Sequence, residues 1–405
     1  MKNVKIVIGA NFGDEGKGLL TDYFCSAFPT REKVLNVRFN GGAQAGHTVV
    51  KADGRRHVFS HFGSGSFNEN NLTYLSSYFI LNPMLFVKEY KVLESKGVVP
   101  RVYIHKDCLV TFPGDVMINQ MVEAHRDKNR HGSCGVGIYE TIKRTSNHQK
   151  TTIGYIQENF DQLAKMIAGT IQLYVPQRLD ELNTELTDSE WELIRNETIT
   201  ENYIYDLGFM LQHTEIVDND IIKEYDNIVF EGAQGLLLDA DNIEYYPHLT
   251  PSNTGIKNAI DILSGVDACD LSICYVTRSY FTRHGAGLFK TECDSTDLKP
   301  AGLRDKTNQT NAYQGNFKYG YFDVAAFQHS VEKDLGFLNR TAAVELAVTH
   351  LDETDGYLIL DSEKLEVADL LKIMNLHAGY TSYGEKAEDI QGTVLCHQYA
   401  ARHQY

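Results

Sequence analysis

The chain has 405 residues, of which 42% are hydrophobic and 23% charged, as is typical of a globular protein with a large core. Its formal net charge of −16 argues against a nucleic-acid partner, because binding a polyanion requires a cationic surface. No stretch approaches the roughly 20 apolar residues of a membrane span, and the N-terminus lacks the pattern of a signal peptide. Seven cysteines without a CxxC pair indicate reduced thiols, so we expect a cytoplasmic protein.

The first third of the chain alternates between strand and helix patterns. Residues 5–10 form an apolar β-branched run, 16–28 have a helical pattern, and 33–39 form a second strand that enters the glycine-rich loop 41–47. The same alternation continues in the strands predicted at 57–62, 102–104 and 109–112 and in the helices predicted at 84–96 and 114–127. This alternation predicts an α/β fold with a central, mostly parallel β-sheet flanked by helices.

The rest of the chain has three different patterns. Residues 155–225 are amphipathic and helical, which predicts a helical insertion whose role is packing. Strands are predicted at 227–231, 342–348 and 356–360 and a helix at 323–335, whereas the polar stretch 290–318 is typical of an active-site loop. The segment beyond 360 shows no clear pattern. We expect residues 1–405 to form a single large domain with this insertion.

The chemistry is concentrated in the turn GANFGDEGKG, which follows the first strand. Gly9, Gly13, Gly16 and Gly18 allow backbone N–H groups to approach phosphate oxygens closely, and the start of the next helix adds the positive end of its dipole. Lys17 supplies a cation for the terminal phosphates. The turn resembles a P-loop but differs from it, because six residues separate Gly9 from Gly16 and Gly18 replaces the usual Ser or Thr.

Asp14 and Glu15 lie inside this turn, where a carboxylate would repel phosphate. Their position indicates a metal ligand, a base, or both. Taken alone, the turn could equally be a tight strand-to-helix connection with solvated charges. His47 ends the second glycine-rich loop, and the carboxyl ends of parallel strands meet at the same edge of a sheet, so we expect it near Asp14 and Lys17.

Six segments carry a resemblance to a known family. GANFGDEGKG, NVRFNGGAQAGHTVV, VFEGAQGLLLDAD, TPSNTG, TRHGAGLFKTE and THLD occur in this order, and together they resemble the landmarks of the adenylosuccinate synthetase family. The resemblance spans about residues 4–352, is thin at 155–225, and fades after 360. It implies P-loop-like nucleotide-binding loops on the α/β fold.

The resemblance also implies a reaction. Enzymes of this family use GTP and Mg²⁺ to phosphorylate O6 of a 6-oxopurine nucleotide, and the amino group of aspartate then displaces that phosphate. Asp14 would remove the proton from the ring nitrogen, and His47 would lie beside the transferred phosphoryl group. Lys17 would steady the phosphates, and Asp14 with the backbone carbonyl of Gly46 would bind magnesium.

Further site residues follow from the same resemblance. Gln234 would act in catalysis by binding the purine, Thr250 would bind its 5′-phosphate, and Asp352 would accept hydrogen bonds from guanine and so select GTP. Lys143 or Arg144 would reach into the neighbouring subunit's site, which implies a homodimer. The nucleotide-binding residues are then Gly13, Glu15, Gly16, Lys17, Gly18, Gly46, His47, Thr48 and Asp352. The substrate-binding residues are Asp14, Gln44, Ser133, Lys143, Arg144, Gln234, Thr250, Arg283 and Lys318.

Each of these residues also has a plain structural interpretation when it is taken alone. Gln234 could cap a turn, Asp352 could be a helix N-cap, and Lys143 with Arg144 could be a solvated pair. His47 could be a loop histidine whose hydrogen bonds are satisfied. The ordered set of motifs favours the functional interpretation over these alternatives.

The chain departs from the family pattern where the amino acid would bind. Residues 311–319 read NAYQGNFKY, with Lys318 the one cation, whereas the family has arginines that grip the carboxylates of aspartate and reach the ribose 2′-hydroxyl. His350 replaces a lysine near the guanine, and the loop 132–137 is shortened. We therefore expect a diverged member of the family.

Three functional hypotheses remain from the sequence. The simplest is a ligase for IMP and L-aspartate; an alternative within the family uses a deoxynucleotide such as dGMP or another amino acid. A phage branch that acts on deoxyguanylate alters the position of Asp14, which is retained here. The third hypothesis is a catalytically silent GTP-binding regulatory protein, and the presence of Asp14, Lys17 and His47 together argues against it.

Overall fold

The computed structural model describes residues 1–126, 132–147, 151–266, 268–303 and 317–394. Within these ranges the strands are β1 (Lys2–Gly9), β2 (Val34–Arg38), β3 (His47–Val50), β4 (Arg56–Phe59), β5 (Asn71–Leu75), β6 (Ile80–Leu81), β7 (Val102–His105), β8 (Leu109–Val110), β9 (Glu215–Val217), β10 (Asn227–Glu231), β11 (Cys269–Arg278), β12 (Phe281–His284), β13 (Glu292–Cys293), β14 (Phe317–Gly320), β15 (Ala343–Thr349), β16 (Tyr357–Ile359), β17 (Lys364–Glu366), β18 (Ala378–Ser382) and β19 (Ile390–Val394). The α-helices are α1 (Lys17–Ser26), α2 (Pro83–Ser95), α3 (Pro113–Arg126), α4 (Ile138–Asn147), α5 (Ile153–Glu158), α6 (Leu163–Gly169), α7 (Val175–Glu181), α8 (Asp188–Ile194), α9 (Glu197–Gln212), α10 (Lys257–Ile262), α11 (Ser295–Leu298), α12 (Val324–Leu335) and α13 (Val367–Ile373).

Ten strands form one twisted sheet in the order β19-β18-β15-β11-β1-β10-β2-β5-β7-β9. Neighbouring strands pair in parallel except at the edge, where β18 and β19 are antiparallel. The predicted α/β class with a mostly parallel sheet is thereby confirmed. Because β1 lies between β10 and β11, the loops that follow these three strands meet at one edge of the sheet.

Burial on both faces explains why β1 lies at the centre of the sheet. Ile6 and Ile8 join the large core cluster on one face, while Val7 belongs to the cluster that includes Leu20 and Phe24 of α1 on the other. A parallel strand covered on both sides needs a continuous apolar run rather than an alternating one. Ile6, Val7 and Ile8 provide that run.

Several elements differ from those predicted. The strand expected at 57–62 is β4, which forms an antiparallel hairpin with β3 outside the main sheet. β5 lies inside the main sheet although no strand was predicted there, and its buried Asn71 and Thr73 weaken the apolar pattern. The segment beyond 360 contributes α13, β18 and β19. Its polar composition gave no strand prediction, although β18 and β19 form one edge of the main sheet.

The segment predicted to be helical contains α5 to α9, together with a π-helical turn at Thr170–Tyr174. Its end differs from the prediction, because β9 joins the edge of the main sheet and a 3₁₀ turn covers Asn219–Glu224. Apolar residues of α6 and α9 pack with those of α2 in one core cluster, and the rings of Tyr90 and Phe209 meet edge to face with their centroids 5.3 Å apart. Among the helices of the described residues, none combines the length and apolar character needed to cross a bilayer.

Candidate active site

The loop between β1 and α1 adopts left-handed backbone conformations at Gly13, Asp14 and Gly16, with φ values of 98°, 63° and 93°. Gly16 is the N-cap of α1, and a Cβ atom there would lie 3.1 Å from Thr349 Cγ2. Asp14 therefore stands in a conformation that side chains rarely adopt, between two glycines that adopt it readily. The loop turns sharply at this point, and the Asp14 side chain stays partly exposed while Glu15 is buried.

Glu15 stabilises this loop from the inside. Its Oε1 accepts hydrogen bonds from the backbone N–H groups of Asn11, at 3.1 Å, and Gly13, at 2.8 Å. Its Oε2 lies 2.6 Å from Nζ of Lys17, and both side chains are almost completely buried, with exposures of 1% and 3%. The acidic pair noted in the sequence is thus divided: Glu15 holds the loop and its lysine, whereas Asp14 faces the site.

His47 belongs to a buried network at the adjoining end of β3. Its Nδ1 lies 2.5 Å from Oε1 of Glu231, the last residue of β10. Ser64 also donates to this carboxylate, from its hydroxyl and, at 2.9 Å, from its backbone N–H. Glu231 was not recognised as a site residue in the sequence, although it begins the motif EGAQG.

The charge states of this pair follow from their surroundings. Burial alone would raise the pKa of Glu231, but the charge of Arg38 and the hydrogen bonds of His47 and Ser64 lower it to about 2. Burial lowers the pKa of His47 to about 4, although Glu231 opposes this. At neutral pH the imidazole is therefore uncharged and donates its Nδ1 proton to Glu231, which leaves Nε2 as a hydrogen-bond acceptor.

The buried His47 gives a testable pH dependence of stability. Between pH 6.5 and about 4 the unfolded chain binds a proton at this histidine that the native state does not. The free energy of unfolding therefore decreases by up to about 1.4 kcal/mol for each unit by which the pH is lowered in this range. We expect urea unfolding to show that the His47→Asn variant lacks this component. The exposed His329 provides the control, since His329→Asn should keep the wild-type slope. An unchanged slope in His47→Asn would contradict the assigned neutral imidazole.

The two loops are adjacent because the first turn of α1 packs directly on the start of β3. A Cβ atom on Gly18 would lie 2.9 Å from Cβ of His47 and 3.1 Å from the backbone oxygen of Thr48. These atoms belong to rigid parts of the chain, so no flexible group can move aside. The absence of a side chain at Gly18 therefore allows Lys17 and His47 to line the same site.

We expect Gly18→Ala to separate the two loops and to destabilise the protein by about 1–3 kcal/mol through overpacking. Thermal unfolding should show the loss of stability, and nucleotide affinity should fall with it. Gly169→Ala is the matched control, because this helical glycine has no atom within 4 Å of the added Cβ. Equal stability and equal nucleotide affinity of the two alanine variants would show that close packing is not what requires a glycine at position 18.

Two glutamine side chains converge beside the glycine-rich second loop. A Cβ atom on Gly41 would lie 3.2 Å from Oε1 of Gln234 and 3.4 Å from Nε2 of Gln44. The Oε1 atoms of both glutamines are buried and have no hydrogen-bond partner among the described residues. Because buried amide oxygens normally have a donor, this cluster suits a ligand that carries N–H groups, as a purine does. The left-handed φ of 57° at Gln234 is part of the turn that places it here.

The segment THLD approaches the first loop from the end of β15. Thr349 Oγ1 donates to the backbone oxygen of Glu15 at 2.8 Å, and His350 adopts a left-handed φ of 59°. Asp352 follows in the 3₁₀ turn Leu351–Glu353 and is exposed. His350 is the N-cap residue of that turn, so the structure does not assign Asp352 the capping role considered from the sequence.

The loop 132–137 lies on α3 and reaches the vicinity of Asp14. Ser133 Oγ accepts from Nδ2 of Asn119 at 2.8 Å, and the N–H of Gly137 donates to Oδ1 of the same asparagine at 3.1 Å. Burial, with a contribution from the negative charge of Asp14, raises the pKa of Cys134 to about 11. Cys134 therefore lies within electrostatic range of the carboxylate of Asp14.

The remaining predicted residues occupy different positions. Gly46 is exposed and Thr48 is half-buried, next to His47, and Oγ1 of Thr48 has no partner among the described residues. Thr250 is half-buried, and its N–H donates to the backbone oxygen of Leu238 at 2.9 Å. Lys318 lies in β14 and pairs with Glu292 at 2.8 Å. Residues 311–316 of the amino-acid loop lie outside the described residues.

The family model that matches this chain is that of adenylosuccinate synthetase, and the match covers residues 6–369. The chain belongs to the adenylosuccinate synthetase family. Curated members include that of Phocaeicola vulgatus, which is 30% identical over 81% of this chain and 74% of its own length. The enzyme of Lawsonia intracellularis is 30% identical over 95% of this chain and 82% of its own length. The protein is therefore an adenylosuccinate synthetase-like ligase.

Solved structures show the same fold at lower identity. The fully ligated adenylosuccinate synthetase of Plasmodium falciparum superposes with a TM-score of 0.69 and 19% identity, covering 96% of this chain and 99% of that one. The succinoaminodeoxyadenylate synthetase of cyanophage S-2L, bound to dGMP and dATP, superposes with a TM-score of 0.61 and 15% identity, covering 96% and 95%. Both likenesses concern the fold.

Two arginines expected to bind substrate are buried in this member of the adenylosuccinate synthetase family. Arg144 is buried in its own chain, where Nε lies 2.9 Å from Oδ1 of Asp115 and Nη1 donates to Oγ1 of Thr151 at 2.5 Å. It can therefore neither reach a neighbouring subunit nor form a solvated pair. Lys143, which is half-buried, remains the candidate for that contact.

Arg283 is likewise buried, and its role in substrate binding stays a prediction. Its Nη1 donates to the backbone oxygen of Leu288 at 2.6 Å, and its Nη2 donates to that of His248 at 3.1 Å. The guanidinium also stacks 4.7 Å from the ring centroid of Phe12. The cation thus ties together the loops of Phe12, Leu288 and His248, and its Nε has no hydrogen-bond partner among the described residues.

The oxygen atoms available near the phosphate loop fit magnesium. Asp14 offers a partly exposed carboxylate and Gly46 an exposed backbone, and hard oxygen donors of this kind suit Mg²⁺. Among the described residues there is no group of three or more His, Cys, Asp or Glu side chains that could hold a metal alone. This donor set matches an ion that takes few protein ligands and completes its shell with water and phosphate oxygens.

Proposed function

We propose that this ligase uses GTP and Mg²⁺ to phosphorylate O6 of a 6-oxopurine nucleotide, most simply IMP. The amino group of an amino acid, most simply L-aspartate, then displaces the phosphate at C6 and gives adenylosuccinate. The proposal rests above all on one observation: the close packing of Gly18 against His47 brings the loop of Asp14 beside that of His47. A base for the purine and an imidazole for the phosphoryl group are needed together in this reaction.

The first step requires deprotonation of the purine. Asp14 accepts the N1 proton, the electron pair moves to O6, and O6 attacks the γ-phosphorus of GTP while the bond to the bridging oxygen of GDP breaks. Lys17 and the backbone N–H groups at the start of α1 bind the phosphates. Asp14 and the carbonyl of Gly46 would hold magnesium, which would supply positive charge to the phosphate oxygens.

His47 has a role that its charge state suggests. In the free protein its ring is neutral, with Nδ1–H donated to Glu231. An anionic phosphoryl group beside Nε2 favours uptake of a proton, because an opposite charge stabilises the imidazolium. His47 then donates to the phosphoryl group from Nε2 while Glu231 holds the other side of the ring.

The other residues complete the proposed site. Gln44 and Gln234 bind the purine, Ser133 and Thr250 bind the nucleotide's phosphate, and Asp352 selects guanine. Lys318 contacts the amino acid. We propose a cytoplasmic homodimer in which Lys143 acts across the interface.

A matrix of substrates tests the proposal with the purified full-length chain. Inosinate, guanylate and their deoxy forms are each combined with GTP or ATP and with several amino acids, and products are identified by mass. We expect phosphate release and a product with the mass of adenylosuccinate from inosinate, GTP and aspartate. Absence of a product with every 6-oxopurine nucleotide would refute the proposed reaction.

A deoxynucleotide such as dGMP, or a different amino acid, is the second candidate. It is favoured by the sequence NAYQGNFKY at 311–319, which lacks the arginines that grip a dicarboxylate and a ribose 2′-hydroxyl. The similar cyanophage structure is described as bound to dGMP. A higher kcat/KM with deoxyguanylate than with inosinate in the same matrix would establish this alternative.

A further inference from the structure

Asp14 is held from two sides by residues outside its own loop. Nε of Arg278, at the end of β11, donates to the backbone oxygen of Asp14 at 2.5 Å. Nε2 of His284, at the end of β12, lies 3.5 Å from Oδ2 of Asp14. The main chain and the side chain of Asp14 therefore each have a separate contact.

His284 and Arg278, which contact Asp14, both pack against the same aromatic ring. The ring of Phe317 lies 4.8 Å from that of His284, and the guanidinium of Arg278 lies 5.5 Å from its centroid. Phe317 begins β14 and pairs with His284 across the antiparallel register of β12 and β14. It also belongs to residues 311–319, the stretch expected to bind the amino acid.

The conformation of Asp14 explains why such contacts are needed. A non-glycine residue at a φ of 63° is strained by about 1 kcal/mol or more, so the loop gains by relaxing unless other groups hold it. Nη1 of Arg278 also donates to the hydroxyl of Tyr280 at 3.1 Å, which fixes the guanidinium from its other side. The contacts to Asp14 therefore come from side chains that are themselves held in place.

We propose that Arg278, His284 and Phe317 form a clamp that positions Asp14 for proton abstraction. The three are positioning residues, because they act on the reaction through Asp14. The role of Asp14 as the base rests on the proposed function, whereas the effect of the clamp on the conformation of the loop does not depend on it. Since Phe317 lies within residues 311–319, which the sequence predicts to bind the amino acid, the clamp joins that part of the site to the base.

Two conservative variants of His284 separate positioning from simple loss of a side chain. The amide nitrogen of glutamine can occupy the position of Nε2, which faces Asp14. The amide nitrogen of the shorter asparagine can occupy only the position of Nδ1, which has no partner among the described residues. We expect His284→Gln to retain kcat within about threefold, and His284→Asn to lower it about thirtyfold with KM for the nucleotide nearly unchanged. Equal kcat values for the two variants would overturn the proposed contact with Asp14.

Hydrogen exchange tests the clamp without using activity. Phe317→Leu removes the ring beneath Arg278 and His284, so the amides of the peptide spanning residues 10–18 should exchange about tenfold faster. Phe337→Leu is the matched control, because Phe337 is 42% exposed and lies outside the clamp. Equal exchange in the two variants would overturn the clamp even if the enzyme proved inactive. Faster exchange in a protein that turns over no 6-oxopurine would refute the proposed function alone.

Discussion

Replacing Asp14 with asparagine is expected to lower kcat by about a thousandfold, because an amide cannot accept the N1 proton of the purine. Asparagine is among the residues that best tolerate a left-handed conformation, so the φ of 63° should persist and the loop should remain folded. The variant thus removes a base and weakens a metal ligand while the backbone of the loop keeps its shape. Phosphate release measured with inosinate, GTP and aspartate provides kcat, and calorimetry should show that nucleotide binding is nearly intact.

Two controls separate the possible causes of that loss. Raising the magnesium concentration should not restore turnover of Asp14→Asn, since a weakened metal site is overcome by mass action whereas a missing base is not. Asp53→Asn changes a carboxylate on the exposed turn between β3 and β4 and should leave kcat unchanged. Normal turnover of Asp14→Asn would show that the mechanism assigned to this loop is wrong.

Replacing Arg144 with methionine is expected to cost about 3–5 kcal/mol of unfolding free energy, because it leaves Asp115 buried without its cation. Asp115 is fully buried and retains weaker donors from the backbone of Phe112 and the hydroxyl of Thr141. Lys143→Met, one residue earlier on the same helix, should change stability by about 0.5 kcal/mol at most, as for a surface position. Urea unfolding at one pH measures both differences.

The double variant Arg144→Met/Asp115→Leu extends this test. Removing both charges should recover much of the stability lost in Arg144→Met, because no unpaired carboxylate is then buried. A loss below about 1 kcal/mol for Arg144→Met would contradict the buried pair. Loss of activity with unchanged stability would instead restore the interface role that the sequence suggested for this arginine.

The residues of the phosphate loop could be located from the sequence because their chemistry depends on local spacing. Asp14, Lys17 and the glycines around them occur within ten residues, and the strand and helix on either side fix how they face. His47 could be placed near them because parallel strands end at one edge of the sheet. The partners of these residues could not be predicted, since Glu231 is 184 positions from His47 and meets it only through the order of the strands.

Charged residues were the least predictable. Nothing in the sequence distinguishes Lys143 from Arg144, yet one is half-buried at the surface and the other is buried against Asp115. Arg283 stands in a motif shared with the family and was expected to bind substrate, but it is enclosed by the loops of Leu288 and His248. An arginine becomes structural when backbone oxygens and carboxylates surround its guanidinium, and that depends on distant parts of the chain.

The sequence by itself determined the class of the fold, the family and the two loops that carry the phosphate chemistry, because apolar periodicity and glycine spacing act over short distances. The tertiary structure decided how the acidic pair divides, with Glu15 turned inward to Lys17 and Asp14 left facing the site. It also decided what holds Asp14 there, since Arg278, His284 and Phe317 follow Asp14 in the chain by 264 residues or more. Such contacts arise only when the sheet is assembled, and local patterns do not contain them.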